Sequence, residues 1–583
     1  MPTLDVDNFN VVCATLGGFI GAFGLVSYLL KEKFYLSEAL ISTLAGVALG
    51  PHAANFIRPL EYALNDEVNL ETITLYFARL VLGVQLVLAG VQLPSKYLWT
   101  ERKSLSILLG PGMCIMWLVT SLLVWGLVPN ITILMALSVG ACVTPTDPIL
   151  SNSIVKGKFA DKNIPPPLQK IIIAESGAND GLGYPFLYLG LYLLKYTAMG
   201  GAGQTGGAGK AMGYWFGEIW GYEILLSVVY GTVVGWIAKE SLHWAEERRY
   251  VDRESFLVFA VTLALFIVGT AGMVGTDDVL ACFIAGNVFT WDDWFRLETM
   301  DDSLQPTIDM LLNVAIFMWF GAVCPWHSFI DNNVVDIGRL VALGVLVLLL
   351  RRLPMVLAFH KHINQIDDLK RAGFMGFFGP IGVSAVFYLY VSRQFLREIE
   401  VDGVQREDAA QLEEVMNVVI WFLIICSIVT HGLSIPVGKL GFHLPRTIST
   451  ALSQERPSRP LSRASTGAPQ KTGLAWLWSV ISHLKWASRV NREDEDANVS
   501  TASAPKTTDH PVISAPRDGR VIGSVITKPV AEGEPRHASS DERTSQKSSD
   551  EDVEVELPTA GPSTAGTTWN RSIRFGDESR PRS

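Results

Sequence analysis

The stretch LQKIIIAESGANDGLGYPFLYLGLYLL, residues 168–194, decides the fold. It is long and apolar enough to cross a bilayer core of about 30 Å. Yet its middle carries Glu175, Asn179 and Asp180. A charge at the centre of a membrane helix costs roughly 2.5–3.5 kcal/mol on insertion scales, so each of these groups needs a partner or a task. At about 100° per residue, Glu175 and Asn179 fall about 40° apart on one helical face, and Asp180 lies about 100° further round. The two acids therefore serve different partners. A carboxylate in a wet cavity holds a proton or a cation but hardly both at once, and that competition is the simplest basis for exchanging one for the other.

The rest of the chain has the same character. It is 583 residues long and 49% hydrophobic, with a mean hydropathy of +0.29. Charge-free windows such as 11–30, 107–128 and 257–274 have the length of a bilayer crossing. The chain reads as an all-α polytopic membrane protein with about thirteen transmembrane helices. The spans fall near 11–30, 35–54, 70–93, 104–128, 131–155, 168–195, 217–238, 255–274, 277–290, 304–324, 336–358, 372–392 and 414–440. The ninth is short, and Gly and Pro interrupt the fifth and twelfth. Backbone freed by such breaks must be satisfied inside protein or in a wet cavity. The first apolar run lacks a basic leader and a small-residue cleavage site, so it reads as a span rather than a signal peptide. The net charge of −10 averages a membrane part and a tail and carries no nucleic-acid signal. Cys13, Cys114, Cys142, Cys282, Cys324 and Cys426 lie in or beside apolar spans without metal-ligand spacing, and they read as packing residues.

Loop charges set the orientation. Lys31, Lys33, Lys96, Arg102, Lys103, Lys239, Arg248, Arg249, Lys361, Lys370 and Arg371 fall on one set of loops, and the opposite set is poorer. The positive-inside bias puts the N-terminus outside and the C-terminal tail in the cytoplasm. The acidic loop with Asp292 and Asp293 fits this poorly, and a twelve-span arrangement with both ends inside is the alternative. Residues 1–445 form the membrane domain. Residues 446–583 are rich in Ser, Thr, Pro and charge and read as a disordered cytoplasmic regulatory tail, open to kinases or regulatory proteins. One island, 472–492, has Leu474, Leu477, Ile481 and Leu484 at helical spacing among Trp and Lys. It suits a helix in the inner membrane interface or one docking a partner.

Four further groups could carry chemistry. In ACVTPTDPILSNSIV, residues 141–155, Pro145 and Pro148 flank Thr146 and Asp147. Each proline removes a backbone donor and frees carbonyls one turn back. With Thr144 and Thr146 hydroxyls and the Asp147 carboxylate, this is an oxygen cage suited to a hard cation. A plain kink would not explain an Asp between the prolines. Asp277 and Asp278 start a short span, as helix N-caps or as a funnel on an ion pathway. Arg351 and Arg352 sit in an apolar run; they either snorkel to the interface or neutralise Glu175 or Asp147. Gly379-Pro380 breaks its helix near the start, mirroring the break at Pro145–Pro148 as two crossed discontinuous helices of an inverted repeat would.

Taken together, TPTDP, ESGANDGLGYPF, GTDDVLACFIAGNVFTWDDWF, LRRLP and GFFGPIGVSAVFY occur in an order that resembles the fungal sodium/proton antiporters of the cation/proton antiporter superfamily. The resemblance covers Met1 to about Arg446. It implies a core domain moving against a dimerisation domain, a homodimer, and no cofactor. It places the transported ion at Asn179 and Asp180. It pairs Glu175 with Arg352, Arg351 being one register away. It carries the broken-helix positions to Thr144, Pro145, Thr146 and Asp147, and the double acid to Asp277 and Asp278. Animal exchangers have Arg-Gly where this chain has Gly379-Pro380, so charge compensation at the crossing differs. The implied function is export of Na+ or Li+, with K+ as a further candidate, against H+ for salt tolerance and pH homeostasis. The implied location is the plasma membrane. The one metal expected is the transported Na+ at Asp180, and Asn179 in place of a second acid favours electroneutral exchange. A K+/H+ antiporter and a passive cation channel are the alternatives; the channel predicts conductance without pH coupling. An intramembrane aspartyl protease would need Gly-x-Gly-Asp, and the candidates here read GAND and GTDD.

Overall fold

The computed structural model describes residues 7–155 and 162–453. The tail expected from 446 is described only to 453, where it continues the helix Glu407–Ser453; the rest, with its island at 472–492, lies outside the described residues. Among the described residues, eight helical runs are long and apolar enough to cross a membrane. They begin with α1 (Asn8–Tyr28), which is followed by the shorter α2 (Glu38–Leu49) and then by α3 (Glu67–Gln92) and α4 (Met113–Leu127). The next two expected passes are each built from two pieces. The first is α5 (Ile133–Cys142) and α6 (Pro148–Val155); the second is α7 (Pro166–Gly181) and α8 (Tyr184–Thr197). Then come α9 (Leu226–Glu247), α10 (Arg253–Val274), the short α11 (Asp278–Phe289) and α12 (Leu304–Val323). The series closes with α13 (Ile337–Leu350), α14 (Leu353–Phe359), α15 (Leu369–Phe377), α16 (Val383–Arg397) and α17 (Glu407–Ser453). A two-stranded hairpin, β1 (Glu400–Val401) with β2 (Val404–Gln405), joins α16 to α17.

Helices in lipid gain little from the hydrophobic effect between them, so close backbone approach matters. Such an approach occurs where α2 crosses α12. A Cβ on Gly321 would lie 3.0 Å from the Gly46 Cα, so only glycine lets these two backbones meet.

Three local details differ from the sequence reading. The opening stretch is not one helix: it breaks at Leu182 and Gly183. The reason is Pro185, whose ring lacks an N–H and crowds the carbonyl four residues back. The Gly379-Pro380 break lies between two half-helices rather than near a helix start, because Leu369–Phe377 is itself helical. The acidic loop after α11 is matched by its neighbours. Asp292 pairs with Lys239 at 3.1 Å, while Asp293 accepts from Arg296 at 2.7 Å and from the Ser95 amide at 2.8 Å. The Arg296 hydrogen bond and then the Ser95 amide hold the Asp293 carboxyl below its usual range.

Candidate ion site

Two helix breaks meet in the middle of the fold. Residues 143–147 separate α5 from α6, and residues 378–382 separate α15 from α16. Each break leaves one helix C-terminus with orphan carbonyls and one N-terminus with orphan amides. The partial charges at these ends are opposite in sign, about half a charge each.

Asp147 serves the positive ends. Its Oδ2 accepts from the Leu150 amide at 2.8 Å, and its Oδ1 from the Val383 amide at 2.8 Å and the Ser384 amide at 3.4 Å. Its own amide donates to the Pro380 carbonyl at 3.0 Å. One side chain therefore caps α6 and α16 together. Gly382 allows this approach, since a Cβ there would lie 2.6 Å from the Asp147 Cγ.

Arg351 serves the negative ends. It donates to the Val143 and Gly379 carbonyls, with further contacts at 3.4 Å to Thr144 and Pro145. Both Arg351 and Arg352 are 2% exposed, so neither snorkels. The chain bends at these residues because Pro354 starts α14, and the bend turns both arginines inward. Arg352 forks onto Glu175: Nη1 reaches Oε1 and Nη2 reaches Oε2, each at 2.7 Å. Its Nε donates to the Met375 carbonyl at 3.0 Å. Adjacent arginines thus do different work. Arg352 holds Glu175, and Arg351 gathers the carbonyl ends of both breaks.

Asn179 clips α7 to the first break. Its Oδ1 accepts from the Thr146 amide at 3.1 Å and its Nδ2 donates to the Thr146 hydroxyl at 2.8 Å. Ser176 adds a hydroxyl contact to Thr146 at 3.0 Å. Thr144 donates to the Gly140 carbonyl at 2.8 Å, which ties its hydroxyl back to α5.

Asp180 stands apart. It is 1% exposed, and neither carboxylate oxygen accepts a hydrogen bond of good geometry. The Ser384 side chain stands beside it, and Asp147 and Asp277 lie within electrostatic reach. The Tyr388 hydroxyl fixes the Asp180 backbone carbonyl rather than its carboxylate.

The double acid divides in the same way. Asp278 forms an ion pair with Arg79 of α3 at 2.6 Å. Asp277 caps α11 through Oδ1, 3.0 Å from the Leu280 amide, while its Oδ2 is buried with no hydrogen bond. That free oxygen would lie 3.1 Å from a Cβ on Gly181, so it faces the residue next to Asp180. Sequence reasoning missed Arg79, although a lone arginine in the apolar run of α3 was the signal. It also missed Ser427 and His431 of α17, which touch the second break.

Residues 21–438 match the family described as sodium/hydrogen exchanger, transmembrane. The chain belongs to that family. It is 36% identical over 524 residues to a probable Na(+)/H(+) antiporter of Schizosaccharomyces pombe, covering 86% of this chain and 66% of that protein. It is also 36% identical over 484 residues to Na(+)/H(+) antiporter 2 of Zygosaccharomyces rouxii, covering 81% of this chain and 57% of that one. The chain thus spans just under two thirds of the first of these relatives and less of the second. The sodium proton antiporter MjNhaP1 of Methanocaldococcus jannaschii has the same fold, with a TM-score of 0.50 at 18% identity over 71% of this chain and 98% of that one. This exchanger-family chain is therefore a multi-pass membrane protein, and its buried charges sit within the matched residues.

Proposed function

We propose that the chain is a secondary active antiporter that exchanges Na+ for H+ at Asp180 by alternating access. The observation that carries this reading is the Asp180 carboxylate, fully buried with neither oxygen hydrogen-bonded. The relatives' printed names point to the same exchange.

An uncompensated carboxylate in a protein interior carries a penalty of several kcal/mol. A proton or a small cation removes it. The bare charged form is therefore the least favourable state of the carrier, which makes return without cargo rare and couples the two ions. Asp147, held by three amides, stays with the helix ends, and the Asn179–Thr146 clip sets its distance from Asp180. Thr144, Thr146 and the free Oδ2 of Asp277 supply further oxygens around the route. One free carboxylate at the centre favours one proton per cation. Li+ is smaller with the same charge and fits the same oxygens, and K+ is the alternative cargo. A plasma-membrane homodimer with the N-terminus outside and a regulatory cytoplasmic tail completes the proposal.

The test is proton flux in proteoliposomes challenged in turn with Na+, Li+ and K+, with and without a clamped voltage. Wild type should release protons on addition of Na+, and Asp180→Asn should not. Normal sodium exchange by Asp180→Asn would overturn the assignment.

A further inference from the structure

The second break contains a replacement for the helix hydrogen bond it removes. In an unbroken helix the amide of residue 381 would donate to the carbonyl of residue 377. Here the Ile381 amide donates instead to the Ser427 hydroxyl oxygen at 2.7 Å. That oxygen lies 3.2 Å from Nδ1 of His431, one turn further along α17. His431 Nε2 in turn lies 3.0 Å from the Phe377 carbonyl. The two groups that lost each other are joined again through a serine and a histidine of another helix.

One assignment of the donors runs through without a gap. The Ile381 N–H donates to Ser427 Oγ, the Ser427 O–H donates to His431 Nδ1, and His431 Nε2–H donates to the Phe377 carbonyl. In the opposite tautomer Nδ1–H would turn to the Ser427 carbonyl, 2.9 Å away. The Phe377 carbonyl would keep the Gly379 amide, 3.0 Å away, but the Ser427 O–H would lose its ring acceptor and His431 Nε2 would face that carbonyl as a bare nitrogen. An imidazolium would serve both carbonyls but would bury an uncompensated charge. Glu175 is committed to Arg352 through both its oxygens. His431 is 4% exposed and Ser427 is fully buried, so water does not compete for these groups. The neutral relay leaves the fewest buried groups unmatched.

We infer that Ser427 and His431 are positioning residues for the cation site, splicing a side-chain relay into α15–α16 so that the break is held open at a fixed length. This inference rests on the exchange reading. Holding 377 and 381 apart is what turns the Pro380 carbonyl to Asp147 and presents the Val383 and Ser384 amides to its carboxylate. Ser384 is also the side chain beside Asp180. Without the relay, the amides of residues 381–384 lose their fixed spacing. The effect then reaches the ion through Ser384 and Asp147, without either relay residue touching it.

The test uses the full chain in nanodiscs and proteoliposomes, with Ser427→Ala, His431→Leu, the double variant, and the conservative Ser427→Thr and His431→Gln. A glutamine amide can accept from the serine and donate to Phe377 in the histidine's place. Each disrupting variant should raise the half-saturating Na+ concentration by about tenfold with kcat little changed, equivalent to ~1.4 kcal/mol. The double variant should be no worse than either single, because both cut one relay. The conservative variants should stay within about twofold of wild type. Amide exchange at Ile381 should speed up in both disrupting variants whether or not transport is measured. If wild type exchanges ions but the double variant is additive, or Ile381 stays protected in both single variants, the relay is wrong. If wild type and Asp180→Asn behave alike in flux while Ile381 exchange still accelerates, the exchange reading fails and the relay stands.

Discussion

Asp147 and Asp180 lie in the same buried centre within electrostatic reach of each other, yet their surroundings are opposite. Three backbone amides hold Asp147 between two helix N-termini. Asp180 has no such cage; the Ser384 side chain stands beside it, but neither oxygen accepts a hydrogen bond of good geometry. The double acid repeats the contrast, with Asp278 tied to Arg79 and one oxygen of Asp277 left free. Buried charge in this molecule is of two kinds. One kind is matched by backbone amides or an arginine, and the other is left incomplete. The exchange proposal rests on the incomplete kind.

The largest effect should come from removing the incomplete charge. Asp180→Asn deletes a carboxylate that no amide or cation holds, so the fold should survive. Thermal unfolding should show an unchanged or higher midpoint, while Na+-driven proton flux falls to the level of empty vesicles. A large drop in unfolding temperature would mean that Asp180 belongs with the structural charges. Removing half of a complete pair should do the reverse. Glu175→Gln leaves Arg352 buried without its counter-ion, and such a loss costs about 3–5 kcal/mol. Pairing Glu175→Gln with Arg352→Gln should recover part of that loss in the same unfolding assay, and a double variant worse than the sum of the singles would break the pair assignment.

Asp147→Asn comes next. Asparagine keeps one acceptor oxygen but turns its NH2 toward either the Leu150 or the Val383 amide. One buried donor then loses its acceptor, at about 1–3 kcal/mol. Proton flux should weaken but persist, because the cargo carboxylate remains. Complete loss of flux with normal stability would instead make Asp147 a direct ligand of the ion.

Much of this contrast was legible in the sequence, because proline and buried charge are local signals. Pro145, Pro148 and Pro380 marked both breaks, and helical angles separated Glu175 from Asp180. The partners were harder to read. Arg351 and Arg352 differ by about 100° on a helix, and which one meets Glu175 depends on the bend made by Pro354 and on where α7 lies. The double role of Asp147 depends on a second break more than 200 residues away, at amides that have no side-chain signature. Ser427 and His431 looked like ordinary members of an apolar helix, since a four-residue spacing alone does not show that it faces two ends of a broken one. Arg79 was the exception. Its signal was as plain as that of Arg351, and the same rule would have found it.

The smallest effect should come at the network joining α3 to α16 and α17. Arg393 and Arg397 reach Glu71 at 2.9 and 2.8 Å and Glu413 at 3.0 and 2.7 Å. Two arginines share two carboxylates, and each arginine keeps a partner when one acid is lost. Glu71→Gln should therefore cost less than Glu175→Gln, although Glu71 and Glu413 are only 15% and 13% exposed. Glu413→Gln should cost more, because Glu413 also accepts from Gln405 at 2.9 Å. The two variants compared in one unfolding series separate shared from single pairing. If Glu71→Gln destabilises the chain as much as Glu175→Gln does, sharing offers no protection, and the network must be counted with the singly paired buried charges.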